Sequence, residues 1–544
     1  MIIHSSPKIR SVFDYWKTKD STALLSSLQK NPELKSILLE ETPWVLDAKN
    51  ESDQKRNITL LFDLLHMNSE LDKAFEKIQQ SQSGNGGFSW FRGGPDNRYI
   101  TQYILCGIGH LQKLDALPGA QKDKISAIIE AALPYLDNKM KADHDQLKKD
   151  KKDMADYIPD YEDIQYLYMR SFFPDRRMKD EIKIAYTYFM ERAGKTWMKQ
   201  SNYMQGMIAL TLARSGNKTI PADILVSLKE RAITSETEGM YWTNPRGWFW
   251  YSAPIETHSL LIEVFQEIGK DASTVNNLKT WLLRNKQTRS WNSTKSTAEA
   301  CYALLLQGTP PMGIGGLNNE PSVVIKLGTV SVHSDENKQE AGTGYFKQTI
   351  AGEKVNPQMG NITVTVGSGQ VPPKADLGNA TWGSVYWQYF EDMDKITTSN
   401  DSASMPIKLV KGLFIEKNTD RGQVLTPVIN GTGLKVGDKI KVRIELFVSR
   451  DMEFIHMKDL RASGLEPVNV LSRYKWQDGL GYYESTKDAS TNFFFDYLPK
   501  GTYVFEYPLF VTHAGNFSNG ITTIQCMYAP EFSSHSEGIR IHVE

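Results

Sequence analysis

Cys106 and His110 stand four residues apart in L-C-G-I-G-H-L, a spacing that sets both on one helix face and can chelate a metal. The sequence names no third ligand, and a packed thiol beside a partly exposed histidine accounts for the pair better. Asp153, Asp156, Asp160, Glu162 and Asp163 cluster around Tyr157 and Tyr161. Paired carboxylates flanking a cleft are what glycoside hydrolysis needs, but acidic clusters at helix starts are ordinary because they complement the helix dipole. His258, in S-A-P-I-E-T-H-S-L-L, lies near the aromatic run Trp248-Phe249-Trp250-Tyr251 and can line a cleft; a satisfied helix histidine is the better reading. No G-x-S-x-G elbow occurs, and neither the D-x-D-D proton donor nor the aspartate-rich motif of terpenoid cyclases is present. Those aromatics, with Trp90, Phe91, Tyr241 and Trp242, can bind a ligand or a partner surface. Plugging inner loops and fixing helix ends is the favoured role. No residue is assigned a catalytic, cofactor-binding or metal-ligating role.

These residues need elements to hold them. Gly84 to Leu111 is the organising stretch: a glycine-rich loop carrying Phe88, Trp90 and Phe91 feeds a helix that Asp96 or Asn97 can cap. Ile100, Ile104, Gly107, Ile108 and Leu111 fall on one face of it, and Gly107 and Gly109 imply a closely packed neighbour. The unit recurs. Trp197 precedes a helical run Ser201–Ala213, Trp242 precedes Ile255–Phe265, and Trp291 precedes Thr297–Leu306, with Tyr161–Phe173 near a missing beat. Periods of about 20–50 residues read as stacked helical hairpins, and the aromatic loops favour a closed α/α toroid.

Residues 5–80 read as helical, including Ser11–Tyr15, Ala23–Leu28, Leu34–Leu39 and Asn57–His66. Gln307 to Gly316 is a loop of breakers, after which the period changes from helical to strand-like. Val323–Val332, Ile362–Val366 and Ile407–Ile415 read as strands, and Ile440, Val442, Ile444, Leu446 and Val448 alternate with polar residues. The fold class is therefore multidomain α then β: a toroid of helical hairpins followed by two antiparallel, sandwich-type β domains. A softer boundary falls near Ala403–Pro406.

At 544 residues and 40% hydrophobic content the chain can bury sizeable cores. A net charge of −1, with no basic stripe, points away from nucleic acid. No apolar run approaches the ~20 residues of a membrane helix. The start M-I-I-H-S-S-P-K-I-R has no signal-peptide core, so the expectation is a cytoplasmic protein or a piece whose export signal lies upstream. Cys106, Cys301 and Cys526 are too few for a disulfide framework and read as buried thiols.

Two runs, G-G-F-S-W-F-R-G-G-P-D-N-R-Y-I-T-Q-Y-I-L and S-W-N-S-T-K-S-T-A-E-A-C-Y-A-L-L, together resemble the thioester-type toroid of bacterial alpha-2-macroglobulins. Glu40–Ser52 matches the same branch, typical of Bacteroidetes-like proteins. Met457–Pro467, Phe493–Gly501 and Met527–Phe532 resemble that family's last macroglobulin-type domain. The resemblance implies a thioester-type toroid over 1–310 with its first helices missing, an incomplete CUB-like domain over 311–405, and a terminal macroglobulin-type sandwich over 406–544. It implies protease trapping, with proteases as partners through a full-length parent, and a periplasmic or outer-membrane-associated location in the cell envelope. It also implies a toroid–sandwich contact within the chain, with no nucleic acid and no small-molecule cofactor. The family's thioester needs Cys-x-Glu-Gln, but the cysteines here stand in L-C-G-I, A-C-Y-A and Q-C-M-Y. The expectation is a non-catalytic C-terminal portion of such a trap, in which Trp90, Arg92, Asp96, Arg98 and Tyr99 shape the toroid and its contact with the terminal domain rather than perform chemistry. The alternatives are an α/α-toroid carbohydrate-active enzyme with β accessory domains, or a surface binding module.

Overall fold

The computed structural model describes residues 64–544 apart from 92, 118–121, 151–153, 236–237, 244–253, 290, 292, 307–321, 335–345, 368–382, 384, 394, 399–405, 421 and 430–431. The helices expected before residue 64, the Trp248–Tyr251 run and the Gln307–Gly316 loop lie outside the described residues. A helical region precedes a β-rich one, and two compact units result. The first holds the helices, but for a last turn within Asn285–Ser290, and the first seven strands; the second holds the remaining strands.

In the first unit, α1 (Leu64–Gln80) leads into a hairpin of β1 (Phe88–Ser89) and β2 (Asp96–Asn97). Nine helices follow: α2 (Arg98–Lys113), α3 (Lys122–Lys149), α4 (Tyr161–Arg170), α5 (Asp180–Thr196), α6 (Asn202–Arg214), α7 (Thr219–Glu230), α8 (Pro254–Val264), α9 (Ala272–Thr288) and α10 (Thr294–Leu305). A short hairpin, β3 (Ile233–Ser235) and β4 (Gly239–Tyr241), lies between α7 and α8. The even-numbered helices form a series. α2 packs on α4, α4 on α6, α6 on α8, and α8 on α10. Tyr302 of α10 then stacks on His110 of α2, ring centroids 3.8 Å apart, which brings the series back to its start. Burial separates two helix types: Met204 to Leu212 of α6 are all buried, whereas α7 buries only Pro221, Ile224 and Leu228. A helix apolar all round must be enclosed, while one with a single apolar stripe faces solvent on its other side.

Side-chain caps fix where the enclosed helices begin. Asn97 Oδ1 accepts from Ile100 N at 3.0 Å and Ser201 Oγ from Met204 N at 3.3 Å. Asp160 and Asp163 form a reciprocal capping box, and Ser293 Oγ accepts from Ser296 N at 3.0 Å. Each cap satisfies an amide the first turn leaves orphaned. The glycine loop is equally constrained. Gly86 has φ +93, and a Cβ there would sit 1.9 Å from Ala131 O.

The expected face of α2 is rotated. Leu105, Cys106, Ile108, Gly109 and His110 are buried, whereas Gly107 is exposed with open space where a Cβ would point. Only Gly109 meets the close neighbour expected of both glycines: its Cβ would lie 2.5 Å from Phe172 Cγ. The run Val323–Val332 is likewise two strands, β5 (Ser322–Leu327) and β6 (Val330–His333), because Gly328 turns the chain at φ +59. With β7 (Ile362–Gly367) they form an antiparallel sheet in the order β6-β5-β7.

The second unit continues with β8 (Ile407–Thr419), β9 (Gly422–Pro427), β10 (Gly433–Leu434), β11 (Lys439–Val448), β12 (Met452–Leu460), β13 (Leu465–Pro467) and β14 (Arg473–Gln477). It closes with β15 (Leu480–Thr486), β16 (Ser490–Leu498), β17 (Gly501–Val511), β18 (Gly515–Ser518), β19 (Thr522–Cys526), β20 (Ser533–His535) and β21 (Arg540–Val543). A five-stranded sheet, β13-β17-β11-β8-β9, and a six-stranded sheet, β14-β15-β16-β12-β19-β20, are antiparallel throughout. Ile440, Val442, Ile444, Leu446 and Val448 of β11 are buried in strict alternation and share one core with Ile455 and Met457 of β12. Into this core runs a buried ion pair. Lys411 Nζ lies 2.7 Å from Asp459 Oδ1, both side chains wholly inaccessible, and it also donates to Leu460 O at 2.6 Å. Asp459 additionally accepts from the Tyr507 and Thr522 hydroxyls.

Candidate functional site

The glycine–aromatic stretch forms a hairpin whose tip leaves Trp90 58% and Phe91 70% exposed, while Phe88 is buried at its base. Trp90 stacks on Tyr99 at 5.9 Å, and Tyr99 in turn faces Tyr103 and Tyr161. Asp96 does not cap α2. It accepts instead from Ser83 Oγ and, at 2.6 Å, from Asn85 Nδ2, which closes the loop. Arg98 reaches Asp143 on α3 and, at 3.4 Å, Asp163 on α4. Arg92 lies outside the described residues.

Within the acidic cluster, Asp160 and Asp163 are committed to architecture. Asp163 Oδ2 accepts from Tyr157 OH at 2.7 Å while its other oxygen faces Arg98. Burial, helped by the neighbouring Asp160, pushes its carboxyl up to about 6 despite Arg98. Asp156 is exposed, and Asp153 lies outside the described residues. Cys106 is buried, and His110 is buried rather than partly exposed, its Nε2 3.0 Å from Tyr168 OH. Among the described residues no group of three or more His, Cys, Asp or Glu is placed to hold a metal. His258 Nε2 lies 2.7 Å from Leu278 O, and burial lowers its imidazole to about 4. Trp242 is buried and donates Nε1–H to Leu228 O at 2.8 Å.

A second cluster of charge, which no spacing in the sequence marks, is more deeply buried. Glu263, on α8, is completely buried, and all four other enclosed helices reach it near their C-terminal ends. Its Oε1 accepts from Lys113 Nζ of α2 at 2.9 Å, Arg214 Nη2 of α6 at 2.6 Å and Tyr302 OH of α10 at 2.8 Å. Its Oε2 accepts from Tyr168 OH of α4 at 2.6 Å. Glu267, in the π-helical turn Phe265–Gly269 that continues α8, takes Lys113 and a second Arg214 bond at 2.9 Å. Arg214 also covers the Phe172 ring at 4.3 Å. Burial works against the Glu263 charge, but Arg214 and Lys113 overcome it and hold the carboxyl far below its ordinary range. The one hint in the sequence is a glutamate inside the apolar run Leu260-Leu261-Ile262-Glu263-Val264-Phe265.

The thiols are poorly suited to nucleophilic work. Burial pushes Cys106 and Cys301 up and Cys526 up to about 12, the reverse of the shift an attacking thiolate needs. None is followed by x-Glu-Gln. What the arrangement can do is hold helices together through a saturated, charged centre.

Residues 407–531 match the family model of the bacterial alpha-2-macroglobulin MG10 domain. No curated protein matches the chain. Similar solved structures include Escherichia coli alpha-2-macroglobulin activated by trypsin, 13% identical with a TM-score of 0.40, covering 90% of this chain and 30% of that one. The E. coli protein activated by porcine elastase is 12% identical at a TM-score of 0.38, covering 88% of this chain and 38% of that one. Salmonella alpha-2-macroglobulin reacted with methylamine is 12% identical at 0.30, covering 99% of this chain and 31% of that one. The chain thus spans about a third of the length of these proteins. Over residues 407–531, then, the β region that follows the helices is similar to the MG10 domain of bacterial alpha-2-macroglobulins.

Proposed function

We propose that the chain serves within a bacterial alpha-2-macroglobulin-type protease inhibitor as a non-catalytic portion, with no thioester of its own. The match of residues 407–531 to the MG10 domain carries this reading. The elevated thiols and the missing Cys-x-Glu-Gln support the second half of it. On this reading the helical series is a thioester-type α/α toroid over 1–310, residues 311–405 are CUB-like, and 406–544 are the terminal macroglobulin-type domain. Its partners are proteases, engaged by physical enclosure, and its place is the periplasm or the outer-membrane-associated envelope. The acid pair that a carbohydrate-active enzyme would require finds no support at Asp156 and Asp163, since Asp163 is bound into a capping box and faces Arg98.

The E. coli relatives are described as activated by trypsin and elastase, so these two proteases are the probes. The intact gene product that carries this chain is mixed with either, and hydrolysis of azocasein is compared with hydrolysis of a small peptide anilide. A trap shields its captive from the large substrate only. Azocasein cleavage is expected to fall several-fold while anilide cleavage holds. Unchanged cleavage of both substrates, or release of reducing ends from a polysaccharide panel, would overturn the proposal.

A further inference from the structure

The helical series returns to α2 through α10, and two side chains about one turn apart make the contact. Tyr302 stacks on the His110 ring and donates to Glu263. Glu299 faces the other ring nitrogen, its Oε2 3.9 Å from His110 Nδ1. Proton positions follow from counting donors. Tyr168 has one hydroxyl proton and gives it to Glu263 Oε2 at 2.6 Å, so the 3.0 Å contact between Tyr168 and His110 must have Nε2–H as donor. A neutral imidazole protonated at Nε2 presents a bare lone pair at Nδ1. That lone pair faces a carboxyl oxygen, and two acceptors with no proton between them stay beyond hydrogen-bond reach.

We propose that His110 Nδ1 and Glu299 Oε2 form a one-proton site that fastens α10 to α2 when the proton is present and loosens that seam when it leaves. This goes beyond protease inhibition and does not depend on it. The groups facing Glu299 are Lys295 on its own helix, Tyr99, Tyr103 and Cys106 on α2, Tyr161 on α4, Tyr203 on α6, and Glu256 and Glu263 on α8. Among them only Lys295 is cationic. Burial raises the Glu299 carboxyl to about 7, with Glu263 and Glu256 adding to the shift and Lys295 opposing it. Burial lowers His110 to about 4, so a proton taken up at this site would reside on Glu299 and draw its Oε2 from 3.9 Å into hydrogen-bond reach of Nδ1. The Glu299 side chain is 14% exposed, which gives the proton a route to solvent.

The sign is fixed by linkage. A carboxyl whose value in the closed ring is raised binds its proton more tightly there than when α10 is detached. The Glu299 contribution is therefore lost as pH rises through about 7, while His110, held down to about 4, opposes it as pH falls below the ordinary histidine range.

Hydrogen exchange on the full chain at pH 5.5 and 8.5, corrected for intrinsic rates, tests this. Amides of α10 are expected to lose about tenfold or more of their protection relative to those of α6 at the higher pH. Glu299→Gln keeps a donor for Nδ1 and cannot ionise, so its ratio of α10 to α6 protection should stay flat. A wild-type ratio that does not move with pH, or a variant that follows the wild-type course, would overturn the proposal. So would a carbon-13 titration placing the Glu299 carboxyl in the ordinary glutamate range.

Discussion

Four helices of the first unit send side chains to one buried carboxylate on a fifth, whereas the β unit encloses an apolar core with a lysine–aspartate pair at its side. The difference follows from geometry. Near the C-terminal ends of enclosed helices, carbonyl dipoles converge and favour cations, which Lys113 and Arg214 supply at the last turns of α2 and α6. Those cations then need an anion, and Glu263 and Glu267 provide it. Alternating strands put one residue in two on the core face, so β11 fills its half of the sandwich with aliphatics. In the β core the fully inaccessible charges are Lys411 and Asp459, which pair across the two sheets and make three further hydrogen bonds. A helical assembly can thus place a polar network at its centre, while a sandwich tolerates one mainly as a fully saturated pair.

The comparison breaks most sharply at Lys411. Lys411→Ala strands Asp459 without its counter-charge and is expected to destabilise the β unit by about 3–5 kcal/mol. Replacing both partners with apolar residues of similar volume should recover most of that loss. Denaturation followed by exchange at β11 amides reads both results. Equal losses in the single and double variants would show that packing, not charge, holds the site.

Glu263→Gln should cost about 3 kcal/mol, somewhat less because Glu267 still answers Lys113 and Arg214. The loss should register across the α2, α6 and α10 amides together. A loss confined to α8 would mean that the carboxylate does not join the helices. The smallest effects separate two glycines on one helix. Gly109→Ala drives a methyl into Phe172 and should cost about 1–3 kcal/mol, while Gly107→Ala meets nothing and should gain up to about 1 kcal/mol of helix propensity. Thermal unfolding of the two variants in opposite directions confirms the rotated face of α2; shifts of the same sign reject it.

Much of the helical order was legible because its signals are local. Asn97, Asp160, Ser201 and Ser293 mark helix starts through bonds to amides three residues on, and the aromatic beat locates the enclosed helices. The alternation of β11 was equally plain. Glu263 was not, because its four partners come from four different helices and no spacing along the chain relates them. The face of α2 was misplaced for a related reason: buried Gln102 and His110 look like surface residues in sequence, while Gly107, read as part of the packed face, is exposed. The division of Val323–Val332 turned on Gly328, whose positive φ lies inside an otherwise unbroken strand pattern.

The proposal that the chain carries no thioester of its own is tested most directly by counting thiols. The three cysteines are titrated with a chromogenic disulfide in guanidinium, before and after exposure of the native protein to methylamine. Three reactive thiols in both states are predicted. One thiol missing before methylamine and restored after it would reveal an internal thioester and contradict the account.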